Sequence, residues 1–129
     1  MIILDTSFLI DFFRGKEETL HVIADADVAT TVITYYEIFS GIFHKKARKE
    51  EKFFRRFFSE IRILNLDMNS AEKSSEIMAR LLKMGVSVNA LDVIIAGISV
   101  AHGVEKIVSK DRDFVEIAKM TDLEAVIYW

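Results

Sequence analysis

The chain opens Met1-Ile2-Ile3-Leu4-Asp5-Thr6-Ser7: four apolar residues, an acid, then two hydroxyls. A short apolar run without alternation belongs to a strand covered on both faces, the condition of a central strand in a parallel sheet. That inference commits the chain to helices on either side of a sheet and puts Asp5 where the strand ends. In open α/β sheets ligands bind in the crevice beyond the carboxyl ends of the strands. Asp5 is therefore a candidate for chemistry, although Asp5, Thr6 or Ser7 could equally cap a helix starting at Phe8.

Strand and helix patterns alternate along the rest of the chain. Phe8 to Arg14 carries a helical apolar stripe ended by Gly15, and a short helix is expected from Glu17 to Ala24. The β-branched run Val28 to Val32 reads as a second strand, followed by a helix from Thr34 to about Phe43. Arg62 to Leu66 gives a third strand. A helix from Ala71 to Lys83, capped by Asn69 or Ser70 and ended by Gly85, comes next, then one from Ala90 to Ala101, capped by Asn89 and ended by Gly103. Lys106 to Ser109 is a strand, Arg112 to Met120 a helix and Glu124 to Tyr128 the last strand. Proline is absent, so the boundaries rest on glycine and capping signals. The alternation predicts an α/β sandwich with a mainly parallel sheet.

At 129 residues, 51% of them hydrophobic, the chain fits a single domain spanning 1–129. A formal charge of -3 exerts no global pull on a polyanion, so any nucleic-acid binding needs a local patch. One is present: eight of the 17 basic residues fall between His44 and Arg62. Phe53, Phe54, Phe57 and Phe58 recur there at helical spacing, predicting one amphipathic helix with an aromatic and a basic face. Lys45, Lys46, Lys49 and Arg56 are candidate contacts for phosphates, against the alternative of a solvated face paired with Glu50, Glu51 and Glu60. The absence of cysteine excludes disulfides and thiolate metal sites. No apolar run approaches the ~20 residues of a membrane span, and Met1 to Leu4 has no basic lead-in, so a soluble cytoplasmic protein without a signal peptide is expected.

Four further acids repeat the placement of Asp5. Glu37 falls in the first turn of a helix, where Thr34-x-x-Glu37 has the form of a capping box. Asp92 and Asp113 suit helix starts, and Asp111 follows a strand, where it could be an N-cap. Asp92 is the most telling, because Ala90 to Ala101 is apolar almost all round and a carboxylate on a buried helix needs a partner or a polar cleft. Ala96 and Ser99, small residues a turn or two beyond it, would leave room for that cleft. If these acids converge, their mutual repulsion raises their pKa values unless a cation neutralises them. With neither cysteine nor a nearby histidine the donors are all oxygen, which selects Mg²⁺ or Mn²⁺. A carboxylate-held ion of that kind suits phosphodiester hydrolysis, since it activates water and stabilises developing charge.

The opening I-L-D-T-S, Glu37 some thirty residues on, N-A-L-D-V-I-I-A around Asp92 and the late S-K-D-R-D-F, in this order, resemble a PIN domain. The size is similar to that of the VapC-type toxin ribonucleases of toxin-antitoxin pairs. The resemblance implies a three-layer sandwich with a five-stranded sheet in the order 3-2-1-4-5, an acidic Mg²⁺ or Mn²⁺ site, endonucleolytic cleavage of RNA, a homodimer and a small antitoxin partner. By position Asp5, Glu37, Asp92 and Asp111 match the catalytic acids, with Asp5, Asp92, Asp111 and Asp113 as metal ligands and Thr6 and Ser109 as supporting hydroxyls. Ser109 stands where the family usually has threonine. Lys110 and Arg112 flank Asp111 and would depress its pKa and slightly weaken its hold on a metal.

The four phenylalanines read as core, or with Phe12 and Phe13 as the lining of a groove for an antitoxin helix. His21, His44 and His102 are assigned to the surface. Two other classes compete with a ribonuclease: a receiver-like phosphoacceptor using Asp67 or Asp5, which lacks the adjacent acid pair of that fold, and a non-catalytic PIN-like binding module. A DNA substrate in place of RNA is a third alternative.

Overall fold

The computed structural model describes residues 1–128, the side chain of Asp25 excepted; Trp129, the last residue of the expected domain, lies outside them. The strands are β1 (Ile2–Leu4), β2 (Val28–Thr31), β3 (Arg62–Leu64), β4 (Lys106–Ser109) and β5 (Glu124–Ile127). The helices are α1 (Thr6–Phe13), α2 (Glu17–Asp25), α3 (Val32–Lys45), α4 (Arg48–Glu60), α5 (Met68–Lys83), α6 (Ala90–Ala101) and α7 (Asp113–Ala118). All strand pairs are parallel, in the order β3-β2-β1-β4-β5. The opening run is the central strand, with Ile2 and Ile3 level with Val28 and Ala29 on one side and with Lys106 and Ile107 on the other.

Alternation along β1 and β4 divides the core into two layers. Ile3 and Ile107 point to one face, among Ile77 and Leu81 of α5, Val93, Ile95 and Ile98 of α6 and Phe114 and Ile117 of α7. Leu4 and Val108 point to the other, among Phe8 and Leu9 of α1, Ile38, Phe39 and Ile42 of α3 and Phe54 and Phe58 of α4. This is the three-layer sandwich and sheet order that the motifs implied.

Helix α6, which carries Asp92, is set by its packing on α5. A Cβ on Gly97 would overlap the Ser74 side chain and come within 2.8 Å of the Ser74 Cα, so only glycine admits this approach. Ser74 lies flat because its hydroxyl donates to the Ser70 carbonyl at 2.8 Å.

Several boundaries differ from the expected ones for identifiable reasons. Helix α3 begins at Val32, not Thr34, because Thr31 is its N-cap, accepting from the Thr34 N–H at 3.2 Å; no Thr34–Glu37 capping box forms. Helix α5 is capped by Asp67, not Asn69 or Ser70, and Ser70 donates to it through both its N–H and its hydroxyl at 2.8 Å. The amphipathic basic and aromatic helix forms as α4 but starts at Arg48, because α3 runs on to Lys45 and ends where Lys46 takes a left-handed conformation (φ 52°) and its N–H caps the Ile42 carbonyl. Helix α7 is confined to Asp113–Ala118 because Asp111 turns the chain before it.

Candidate active site

Asp5 follows β1, caps α1 and reaches across to the end of β4. Its Oδ1 accepts from the Phe8 N–H at 3.0 Å, which makes it the N-cap of α1, and from the Ser7 hydroxyl at 2.9 Å. Its Oδ2 accepts from the Ser109 hydroxyl at 2.6 Å, across from the end of β4. Burial pushes the Asp5 carboxyl up to about 6, against the pull of hydrogen bonds from Ser109, the Phe8 N–H and Ser7, and the Asp111 charge adds to the rise. Ser7, a candidate cap in the sequence, does not cap α1; its hydroxyl bonds Asp5, a contact signalled only by a hydroxyl two residues after an acid at a helix start. Thr6, expected to support the acids, donates to Glu37 Oε1 at 2.8 Å and so fastens α1 to the first turns of α3.

Asp92 sits in the first turn of α6, only 7% exposed, and its Oδ2 is buried without a hydrogen-bond partner. Asp92, Asp111 and Asp113 each bring a ligand oxygen within 4.8 Å of the others. The loop between β4 and α7 is aimed by its own backbone: the Asp111 N–H donates to Ser109 Oγ at 2.8 Å and the Asp113 N–H to Asp111 Oδ1 at 2.9 Å. The Asn89 N–H, at the head of α6, donates to Asp113 Oδ2 at 3.2 Å and closes the ring. Ser109 therefore serves two acids, donating to Asp5 and receiving from Asp111, as a threonine hydroxyl would. Burial, a hydrogen bond with Asp111 and the charges of Asp111, Asp5 and Glu37 all push the Asp92 carboxyl far above its ordinary range.

A buried carboxylate oxygen without a donor, facing two more carboxylates, is satisfied by a proton or a cation and by little else. The donor set is all oxygen and hard, which fits Mg²⁺ or Mn²⁺. Of the four expected metal ligands, Asp92, Asp111 and Asp113 meet in one cluster. Asp5 stands beside them with both oxygens hydrogen-bonded, and Glu37 is near enough for its charge to act on Asp92.

Other expectations are corrected. Lys110 does not engage Asp111; its Nζ lies 2.8 Å from Asp11 Oδ2. Ser99 does not open a cleft, since it is buried and its hydroxyl donates to the Ile95 carbonyl of its own helix. Phe12 and Phe13 meet Phe57 and Phe53, with ring centroids 5.6 and 5.1 Å apart, and these four rings stay partly exposed, while Phe54 and Phe58 are buried in the core, as the core reading expects. His21 and His44 are exposed, but His102 is half-buried at the end of α6, its Nδ1 2.8 Å from the Ile98 carbonyl.

Lys45 and Lys46 lie eight and nine residues beyond Glu37, about 12 Å or more along α3, and Lys49 and Arg56 follow on α4; all four are exposed. Arg56 pairs with Glu60 at 3.4 Å, the solvated-face arrangement. Asp67 is an exposed helix cap outside the acid cluster, and the sheet order differs from the 2-1-3-4-5 of receiver folds, which removes the phosphoacceptor alternative.

Residues 2–120 match the PIN domain, and the chain belongs to that family. It is 31% identical over 96 residues to Ribonuclease VapC3 of Methanocaldococcus jannaschii, covering 74% of this chain and 95% of the relative. The crystal structure of VapBC2 from Rickettsia felis, bound to a DNA fragment from their promoter, superposes with a TM-score of 0.85 over 100% of both chains at 16% identity. VapBC-5 from Mycobacterium tuberculosis, a member of the VapBC family of toxin-antitoxin systems, gives 0.79 at 23% identity over 98% of this chain and 97% of that one. At such identities the likeness to the two solved structures is one of fold.

Among the described residues no helix is long and apolar enough to cross a membrane.

Proposed function

We propose that this protein is a divalent-metal-dependent endoribonuclease, a single PIN domain acting in the cytoplasm as the toxin of a toxin-antitoxin pair. The observation that carries the proposal is a buried Asp92 that keeps one oxygen, Oδ2, without a hydrogen-bond partner and brings a carboxylate oxygen within 4.8 Å of those of Asp111 and Asp113. The 31% identity to a ribonuclease over most of both chains supports RNA as the substrate, and the VapBC likeness supports an antitoxin partner.

Asp92, Asp111 and Asp113, with Asp5 beside them, would hold Mg²⁺ or Mn²⁺. The ion would supply activation of water and stabilisation of charge on the attacked phosphate. The residues around it divide the remaining work. Ser109 orients Asp5 and Asp111 together, and Thr6 holds Glu37, which would serve as the base that accepts a proton from water. Lys45, Lys46, Lys49 and Arg56 would bind flanking phosphates, an electrostatic attraction that weakens with salt. The exposed Tyr36 and Phe43 of α3 would serve contact between two copies of the chain in a homodimer.

The test is incubation of purified protein with single-stranded RNA, with Mg²⁺ or Mn²⁺ and with chelator. Cleavage is expected only with the ion, and D92N is expected to abolish it while the far-UV spectrum is unchanged. Equal cleavage in chelator would contradict the metal assignment. Ion binding without cleavage of RNA or DNA would leave the non-catalytic binding module.

A further inference from the structure

Among the described residues three carboxylates are buried: Asp5 and Asp92, which belong to the acid site, and Asp11, which does not. Asp11 is on α1 and faces the loop that carries Asp111 and Asp113. Its Oδ2 receives the Lys110 ammonium at 2.8 Å, the Tyr128 hydroxyl at 2.9 Å and, more distantly, the Lys16 ammonium at 3.9 Å. Lys110 immediately precedes Asp111. The loop does not need the lysine side chain for its shape, because it is fastened by the N–H groups of Lys110 to Ser7 Oγ (3.1 Å), of Asp111 to Ser109 Oγ and of Asp113 to Asp111 Oδ1. What Asp11 decides is where the ammonium goes.

The alternative destination begins at the next residue in the chain, Asp111. A lysine has a long, flexible stem, and a cluster of carboxylates with a partnerless buried oxygen attracts any cation that reaches it. An ammonium lodged among Asp92, Asp111 and Asp113 would occupy the place of a divalent ion. We propose that Asp11 is a positioning residue that captures the Lys110 ammonium and keeps it out of the acid cluster, so that the cluster stays open to a divalent cation. The inference rests on the metal-site reading above and adds to it a residue that touches neither ion nor substrate.

The experiment is Mn²⁺ binding by isothermal titration calorimetry on the full chain, with thermal melts to confirm folding, for wild type, D11N, K110M and D11N/K110M. D11N frees the ammonium and is expected to weaken Mn²⁺ binding about tenfold, while D11N/K110M, in which the competitor is gone, returns to within about twofold of wild type. K110M alone stays within about twofold, because its charge is already sequestered in the wild type. A double variant as weak as D11N would mean that Asp11 acts only through the fold, and unchanged binding by D11N would mean that it does not act at all; either overturns the proposal. Should D11N fail to fold, K110M decides alone, since severalfold tighter binding would place the ammonium on the cluster in the wild type and overturn it. Wild type that binds no Mn²⁺ would instead remove the metal-site reading, and the inference with it.

Discussion

Asp92 and Asp11 are almost equally withdrawn from solvent, 7% and 5% exposed, and they lie on either side of the same loop, yet their surroundings are opposite. Asp92 faces other acids and has an oxygen with no donor. Asp11 is met by two ammonium groups and a phenol. Burial works to raise both carboxyls. At Asp92 the neighbouring acids add to that rise, whereas at Asp11 the hydrogen bonds of Lys110 and Tyr128 and the charges of Lys110 and Lys16 outweigh it and hold the group below its ordinary value. The chain supplies one carboxylate with cations of its own and gives the other only acidic neighbours, the contrast between a structural ion pair and the site proposed above.

The largest expected effect breaks the comparison at Asp92. D92N should lower RNA cleavage by on the order of 10²–10³-fold, as loss of a group that organises transition-state charge does, and should flatten the fall in stability of the metal-free protein with rising pH, because the carboxyl whose ionisation costs stability is gone. Cleavage rates and melts in chelator check both. A metal-free D92N protein whose stability falls with pH as steeply as that of wild type would mean that Asp92 does not carry this titration.

The next effect is in pH. The Asp5 carboxyl in the fold titrates near 6, above the value of about 3.8 it has in an unfolded chain. Between those values the folded state binds more protons than the unfolded state, so the stability of the metal-free protein falls as pH rises from 4 to 6. Asp5 alone accounts for at most about 3 kcal/mol of this, and Asp92, shifted in the same direction, carries the fall further. Asp11, shifted the other way, loses its contribution only as pH drops below about 4. Urea melts in chelator should give lower stability at pH 7 than at pH 5, and saturating Mn²⁺ should remove most of the difference. Stability that rises over that interval would contradict the assignment.

A smaller effect concerns the scaffold. G97A puts a methyl against Ser74 and should cost about 1–3 kcal/mol by overpacking, read from urea midpoints, and the shift of α6 should weaken Mn²⁺ binding as well. The smallest is D11N on stability: Lys110 is nearly half exposed and regains water when released, so a loss of about 1 kcal/mol is expected.

How far the sequence carried these conclusions depended on how local each signal was. The buried run before Asp5, the all-apolar helix around Asp92 and the alternation of strands and helices are local patterns, and each maps onto β1, α6 and the parallel sheet. Asp5 reads locally as a cap because it is one, bonding the Phe8 N–H three residues on, while its second contact, to the Ser109 hydroxyl, lies 104 positions away. The partners that tertiary contact creates were not legible. Thr6 meets Glu37 across 31 residues, Tyr128 meets Asp11 across 117, and Lys110, adjacent to Asp111 in the chain, turns away from it to a helix near the opposite terminus. Local competition also misled: Thr31, not Thr34, starts α3, and a lysine, not a glycine, ends it.

The central claim is that Asp92 is incomplete until a divalent ion joins it to Asp111 and Asp113. Anomalous scattering from a crystal soaked in Mn²⁺ tests it most directly. An anomalous peak bonded to Asp92 Oδ2 and to oxygens of Asp111 and Asp113, absent from D92N crystals, is the predicted result; wild-type crystals with no peak there, or with Lys110 Nζ in its place, would contradict it.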